Sequence, residues 1–166
     1  AGVLKLVKEK SNWGIDDSSS NKGVAAYFCH NSYVAEVMDV VVENNQAKVK
    51  KVWCAVDCRI VINKEGATNM IQGGVIDGIG HAMHSELRFE NGSSVHKNFD
   101  TYNFIRHSQS PSEIEVFFVE NDITPTGLGE PSLPPAVGAL ANALYKATGS
   151  RFYHQPFSKH HEISLG

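Results

Sequence analysis

The chain has 166 residues, of which 42% are hydrophobic and 20% charged, and its formal net charge at pH 7 is −3. This length fits one domain, and the charge provides no basic field that would attract nucleic acid. The longest apolar runs, at 37–42 and 136–144, are far shorter than the roughly 18 residues that a membrane-spanning helix requires. We therefore expect a folded domain that neither binds nucleic acid nor spans a membrane.

The first ten residues, AGVLKLVKEK, have the spacing of a short amphipathic helix, and a polar, turn-rich linker follows them to residue 22. The chain does not begin with a charged-then-apolar leader, so we expect an internal cut point in a longer protein, of which this chain is a fragment. We divide the chain into an N-terminal helix and linker at 1–22, a main domain at 23–157 and a tail at 158–166.

The next segments have the patterns of β-strands. We predict strands at 23–29 and 33–42, a turn at 43–46, and a third strand at 48–57 that forms a hairpin with the second. The side chains of the third strand should alternate between two faces, with Val49, Lys51 and Trp53 on one and Lys50, Val52 and Cys54 on the other.

The three cysteines, Cys29, Cys54 and Cys58, are an odd number and contain no CxxC pair. This pattern argues against a disulfide framework and against a structural zinc site. We expect buried free thiols.

A helix is predicted at 67–87, although glycines occupy positions 73, 74, 78 and 80. Each glycine costs a helix about 1 kcal/mol against alanine, so either close packing or a ligand must require a bare backbone there. A turn at Asn91-Gly92 and a strand at 113–119 follow, and then a helix at 134–147 with Gly149 as its C-terminal cap. The fold class is therefore α+β: a twisted, mostly antiparallel or mixed sheet with two main helices packed on one side.

Glu130 lies in the loop GLGEPSLPP, directly before the last predicted helix. Glycines allow close approach of a ligand to the backbone, and prolines restrict the chain after it, so the loop can present the carboxylate as a base. The alternative is that Glu130 only complements the dipole of the following helix, a contribution of about 0.3 to 1 kcal/mol.

The segment GLGEPSLPPAVGALANALYKATG resembles the GVGEP signature near the end of molybdopterin-binding subunits of molybdenum hydroxylases. Four further segments follow in order the pattern of isoquinoline 1-oxidoreductase-type large subunits of the xanthine dehydrogenase and aldehyde oxidase superfamily, over about Trp13 to Phe157: SYVAEVMDVVVENNQAKVKKVWCAVDC, NKEGATNMIQGGVIDGIGHAMHSELRFENG, NFDTYNFIR and PSEIEVFFVENDITPTGLGEP.

The resemblance implies an oxidoreductase that hydroxylates an aldehyde or an N-heteroaromatic substrate with oxygen derived from water. The family's base falls on Glu130, and molybdopterin, expected in its cytosine dinucleotide form, would approach Gln72, Gly73, Gly74, Gly127 and Gly129. The implied partners are the upstream part of the same large subunit, a two-iron two-sulfur subunit or domain that receives the electrons, and the small-molecule substrate. We expect the isolated fragment to be inactive.

Three departures from the family pattern occur in the chain. Met70 replaces a glutamine that approaches molybdopterin in relatives, and Gln72 replaces a glutamate. Arg59 follows Asp57-Cys58 where relatives have glycine. Because arginine does not readily adopt positive φ, we expect that the turn either differs there or demands glycine less strictly. We interpret Asp57 as a capping or turn residue.

Other clusters have less specific interpretations. Asp77, His81 and His84 share one helical face, but we expect no native metal there. The aromatic residues Phe99, Tyr102 and Phe104 could line a substrate cage or belong to the core, and we expect the core.

Two hypotheses from other classes stay open. One is an assembly domain that kept the family fold and lost the chemistry, which is favoured by Arg59, by Met70 and by Asn103, at a position where arginine is common in the family. The other is a small ligand-binding module that uses the glycine-rich helix. Glu130 argues against the first, because a domain without chemistry has no need of a glutamate between glycines.

Overall fold

The computed structural model describes residues 2–15 and 19–166. Its elements in chain order are α1 (Gly2–Ser11), β1 (Asn21–Cys29), β2 (Ser32–Glu43), β3 (Gln46–Asp57), α2 (Lys64–Met83), β4 (Phe89–Glu90), β5 (Ser93–Ser94), a 3₁₀ turn (His107–Gln109), β6 (Glu113–Phe118), α3 (Leu133–Thr148), α4 (Phe157–His160) and β7 (Ser164–Leu165).

The main sheet has the strand order β1-β2-β3-β6, in which the first three strands are antiparallel and β6 runs parallel to β3. Short β7 pairs with the beginning of β3, and β4 and β5 form a separate hairpin. Pairs of residues with positive φ form tight turns, Asn44-Asn45 at φ 50° and 61° and His30-Asn31 at φ 51° and 60°. The α+β class is confirmed, and the turn at His30-Asn31 is an addition to the sequence prediction.

A β-bulge in β3 overturns one predicted strand face. Asp39 of β2 pairs with Lys51 of β3, whereas the next residue, Val40, pairs with Val49. Lys50 is therefore the extra residue of the bulge. The extra residue reverses the alternation, so Val49 joins the main core together with Val52 and Cys54. The predicted face of Val49 was therefore wrong.

The two main helices pack on the same side of the sheet, as predicted. Helix α2 contributes Ile71 and Ile79 to the main core, and α3 contributes Leu140 and Leu144, all four of them fully buried. Gly23 brings β1 against α3, because a Cβ at this position would lie 2.1 Å from the backbone nitrogen of Ala143.

Helix α1 covers the opposite face of the sheet. Its Val3 and Val7 form a smaller core with Ala35 and Val37 of β2 and with Ala55 of β3. Among the described residues, no helix is both long and apolar enough to cross a membrane.

Local signals fix the ends of the two main helices. Helix α2 begins at Lys64, earlier than predicted, because the side-chain oxygen of Asn63 accepts a hydrogen bond of 3.0 Å from the backbone N–H of Gly66. It ends at Met83 and not at residue 87. Helix α3 has the predicted C-terminal cap, Gly149, in the left-handed region at φ 76°.

Cys54 and Cys58 are buried free thiols and Cys29 is a half-buried one, in agreement with the sequence prediction for the first two. Cys54 lies beside Glu36, a fully buried carboxyl that the sequence patterns did not reveal. The Cys54 thiol donates to Glu36 Oε1 at 3.6 Å, while Glu36 Oε2 has no hydrogen-bond partner among the described residues. Burial raises the pKa of both groups well above their ordinary values.

Two outlying segments complete the fold. Residues 163–165 at the end of the chain place Ile163 and Leu165 in the main core.

The aromatic residues at 99–104, before β6, do not join the core. Phe99 is 74% exposed, and its ring meets that of Phe104 edge to face at a centroid distance of 6.0 Å. The core prediction for Phe99 was wrong.

Candidate active site

The loop before α3 presents Glu130 to solvent. Its side chain is 80% exposed, and Oε2 lies 3.0 Å from Nε2 of His30, in the β1–β2 turn. The carbonyl of Glu130 accepts a hydrogen bond of 3.1 Å from the N–H of Leu133, the first residue of α3, which turns the chain into the helix. The carboxylate is therefore held at an accessible position on a shaped loop.

An apolar cleft of about 250 Å³ adjoins this loop. The segment after β3, the first turns of α2 and the loop before Glu130 form its walls. Its lining residues are Cys58, Ile60, Val61, Ile62, Asn63, Gly66, Ala67, Met70, Pro125, Thr126, Leu128 and Gly129. A glutamate at the edge of such a cleft is a common arrangement for a base that acts on an apolar ligand.

The glycines predicted to face a cofactor divide into two kinds. At Gly73 and Gly129 an added Cβ would meet nothing within 4 Å, so both leave the backbone open to a ligand. At Gly74 a Cβ would lie 2.2 Å from Ser132 Oγ, and at Gly127 it would lie 2.7 Å from the Cβ of His30. Close packing thus explains Gly74 and Gly127, and leaves Gly73 and Gly129 as candidates for ligand contact.

Gln72 points towards the sheet. Its Nε2 donates a hydrogen bond of 3.0 Å to the carbonyl of Ile114 in β6. Met70, which is 51% exposed, lines the cleft together with Gly129. Of the two departures from the family pattern on α2, Met70 is thus the one that changes the wall of the cleft.

Asp57 and Arg59 form the turn that shapes the opposite wall of the cleft. Arg59 adopts φ 69°, so the turn keeps a positive φ at this position and arginine occupies it. Asp57 Oδ1 accepts hydrogen bonds from the N–H of Arg59 at 3.3 Å and from Nδ2 of Asn121 at 3.1 Å, and this carboxylate offsets part of the strain. Asp57 is the turn residue that we predicted.

Asp77, His81 and His84, which share one face of α2, do not come close enough together in the described structure to form a metal site. Asp77 and His81 are exposed, and His84 is half-buried with its pKa lowered by burial. Across residues 2–15 and 19–166, no three side chains of histidine, cysteine, aspartate or glutamate lie close enough together to hold a metal ion.

Sequence reasoning missed His30 in the site and the buried Ser132 behind the Glu130 loop. The two-residue spacing between β1 and β2 is typical of a tight hairpin and was the available signal for the position of His30. Nothing in the local sequence joins His30 to a loop 100 residues later. Ser132 Oγ is buried against Gly74 and has no hydrogen-bond partner in the described part of the chain.

Comparisons with known proteins bear on this geometry. The model of the molybdopterin cofactor-binding domain family matches residues 5–111, which include the cleft wall on α2 and end before Glu130. Isoquinoline 1-oxidoreductase subunit beta of Brevundimonas diminuta is 31% identical over 162 residues, which cover 94% of this chain and 21% of that protein. This alignment is long enough to include the Glu130 loop.

Two further relatives agree with the match. The membrane-bound aldehyde dehydrogenase [pyrroloquinoline-quinone] of Gluconacetobacter polyoxogenes is 27% identical over 94% of this chain and 21% of its own length. The aldehyde oxidoreductase of Desulfovibrio gigas superposes with a TM-score of 0.66 and 26% identity, over 76% of this chain and 14% of that chain. The chain spans about a fifth of the length of the curated relatives. It belongs to the molybdopterin cofactor-binding domain family of molybdenum hydroxylase large subunits.

Proposed function

We propose that this chain forms one wall of the active site of a molybdenum hydroxylase and that Glu130 is the general base of the reaction. The observation that supports the proposal is the position of Glu130, whose accessible carboxylate follows directly on Gly129 at the edge of an apolar cleft. A carboxylate that merely balanced a helix dipole would not require this cleft or a bare glycine backbone beside it.

The residues around the cleft fit the edge of a molybdopterin. Gly129 in the cleft, and Gly73 one turn beyond Met70 on α2, leave room at the backbone for a flat, polar ring system. Met70 offers a polarizable apolar contact. Gln72, Gly74 and Gly127 serve this site by holding the backbone in place. The cytosine dinucleotide form of the cofactor, a two-iron two-sulfur partner and the upstream part of the large subunit belong to the same proposal.

The reaction replaces a C–H bond of the substrate by a C–O bond whose oxygen comes from water, and it releases two electrons and two protons. When bound, the molybdenum cofactor supplies the two-electron acceptor, and the iron–sulfur partner then receives the electrons. Glu130 accepts the proton of the water-derived oxygen, which raises its nucleophilicity, and later returns the proton to solvent. The exposure of its side chain provides that route.

The substrate class follows from the wall of the cleft. Ile60, Ile62 and Met70 provide an apolar surface without charged groups, which suits an aldehyde or an N-heteroaromatic compound. The names of the two curated relatives contain both chemistries, isoquinoline in one and aldehyde in the other.

The test is turnover of the complete, molybdenum-loaded enzyme with glutamine in place of Glu130. Glutamine keeps the shape and the hydrogen-bonding capacity of the side chain but does not accept a proton, so kcat should fall at least about 10²- to 10⁴-fold at unchanged molybdenum content.

Glu120 gives the matched control, because it is an exposed glutamate that also precedes the loop and does not line the cleft. The kcat of Glu120→Gln should fall by less than about tenfold, as expected for a group that takes no part in proton transfer. Near-normal kcat in Glu130→Gln, or the larger loss in Glu120→Gln, would remove the catalytic assignment.

A further inference from the structure

The turn between β1 and β2 is bound to the loop that carries Glu130. The N–H of Gly127 donates to the carbonyl of His30 at 3.1 Å. Ser32, which is fully buried, donates its hydroxyl hydrogen to the carbonyl of Gly127. Both polar groups of Gly127 are thus held by residues of one tight turn.

Thr126 adds a further bond to the same turn. The hydroxyls of Ser32 and Thr126 lie 2.8 Å apart. Because the single hydroxyl hydrogen of Ser32 is directed to a carbonyl, which only accepts, Thr126 is the donor in this pair. The hydrogen bonds therefore run from Thr126 through Ser32 to Gly127 and leave the loop little freedom to shift along the turn.

Gly127 fits this contact for a steric reason. A Cβ at position 127 would lie 2.7 Å from the Cβ of His30, closer than side chains approach in proteins. Any residue other than glycine would push the loop and the turn apart. Glycine at this position thus allows the backbone contact that fixes the distance between His30 and the loop.

The imidazole of His30 completes the contact, with Nε2 at 3.0 Å from Glu130 Oε2. The side chains of His30 and Glu130 are 56% and 80% exposed, so the pair adds little to folding stability. The pair fixes the direction of the carboxylate. Oε2 accepts a hydrogen bond from the imidazole, and Oε1 remains as the second acceptor of the group.

We infer that His30 is a positioning residue for Glu130: its backbone carbonyl holds the loop through Gly127, and its imidazole orients the carboxylate. The inference rests on the proposed function, since the group that is oriented is the proposed base. A reactive group displaced by about 1 Å can lose on the order of 10²-fold in rate, which is the scale on which such orientation acts.

The kinetic test compares three variants of the molybdenum-loaded enzyme. His30→Ala should lower kcat roughly 10- to 100-fold and leave the KM for substrate within about twofold, because the cleft wall is intact. His30→Gln, which retains an N–H donor of similar reach, should recover most of the loss. His154→Ala is the control, since His154 is exposed and does not line the cleft.

A second readout does not depend on activity. In the ¹⁵N-labelled chain, the ring-nitrogen shifts of His30 should report a hydrogen-bonded Nε2–H that is lost in Glu130→Ala and kept in Glu120→Ala. The amide of Gly127 should be protected from hydrogen exchange, and Ser32→Ala should reduce that protection.

The outcomes separate the two proposals. If Glu130→Gln is inactive while His30→Ala turns over normally, the positioning role is wrong and the base assignment stands. If Glu130→Gln is active, the base assignment is wrong and the positioning role fails with it, whatever the NMR contact shows. An equal loss in His30→Gln and His30→Ala would show that shape and not the donated hydrogen bond matters, and would also overturn the inference.

Discussion

Glu36 offers a quantitative test of the core. It lies between Ala25 of β1 and Cys54 of β3 in the sheet register, on the face that α3 covers. Gly138 of α3 confirms the orientation, because a Cβ there would meet the Cβ of Ala25 at 3.0 Å. The carboxyl is fully buried and has one weak partner, the Cys54 thiol. The perturbation is Glu36→Met, which keeps the length of the side chain and removes both oxygens.

The expected effect depends on pH because burial raises the pKa of Glu36 well above its ordinary 4.5. Below the unfolded-state pKa both states are protonated and ionisation contributes nothing to the difference. As pH rises, the unfolded chain loses the proton while the folded chain keeps it, so the wild type loses about 1.4 kcal/mol of stability per pH unit until the buried group ionises. The Glu36→Met variant does not lose stability in this way, because methionine has no ionisable group.

Two contributions to the free energy of unfolding therefore favour Glu36→Met over the wild type. Removing a buried oxygen that lacks a partner should stabilise the fold by roughly 1 to 3 kcal/mol at pH 5. The difference in unfolding free energy between variant and wild type should then grow as pH rises above about 4.5, by up to about 1.4 kcal/mol per pH unit, until the buried carboxyl ionises.

The assay is urea denaturation of both proteins at pH 5, 6 and 7, followed by circular dichroism. Glu43→Met is the control, since Glu43 ends the same strand at an exposed position and should change stability by less than about 0.5 kcal/mol at each pH. Two results would contradict the conclusion that Glu36 is buried with one carboxyl oxygen unpaired. They are a stability difference that does not change with pH and a Glu36→Met variant that is several kcal/mol less stable than the wild type.

Three further predictions concern the helices and the isolated chain. Leu144→Ala should cost roughly 2 to 5 kcal/mol in denaturant melts, because Leu144 is fully buried in the main core, and a change below about 0.5 kcal/mol would contradict that packing. Gly78→Ala should destabilise by roughly 1 to 3 kcal/mol, because its Cβ would lie 2.6 Å from the Cβ of Ala136, whereas Gly73→Ala on the same helix should be neutral or stabilising by up to about 1 kcal/mol. Elemental analysis of the purified 166-residue chain should find no stoichiometric molybdenum, since one wall of a shared pocket lacks most of the hydrogen-bond partners of the cofactor, and one molybdenum per chain would overturn this expectation.

Much of the fold could be predicted because short-range patterns specify it. The turns at Asn44-Asn45 and Asn91-Gly92 need residues that tolerate positive φ, and the sequence supplies them. The cap at Gly149 and the apolar spacing of α3 specify that helix in the same way.

The features that escaped prediction depend on contacts distant in the chain. The bulge at Lys50 reverses the face of Val49, and no residue pattern marks it beforehand. Whether a glycine serves packing or a ligand depends on what lies opposite, which is Ser132 for Gly74 and open space for Gly73. His30 reaches Glu130 only because the sheet and α3 bring the turn and the loop together.

The role proposed for Glu130 is to activate a water-derived oxygen in a molybdenum hydroxylase. The decisive experiment is a single anaerobic turnover of the complete enzyme in ¹⁸O-labelled water, after an earlier round of turnover in the same water has replaced any oxygen already bound, with the product analysed by mass spectrometry. We expect the wild type to form about one equivalent of ¹⁸O-labelled product, and Glu130→Gln, at equal molybdenum content, to form it at least about 10²-fold more slowly. Unlabelled oxygen in the wild-type product, or a Glu130→Gln burst at the wild-type rate, would contradict the claim.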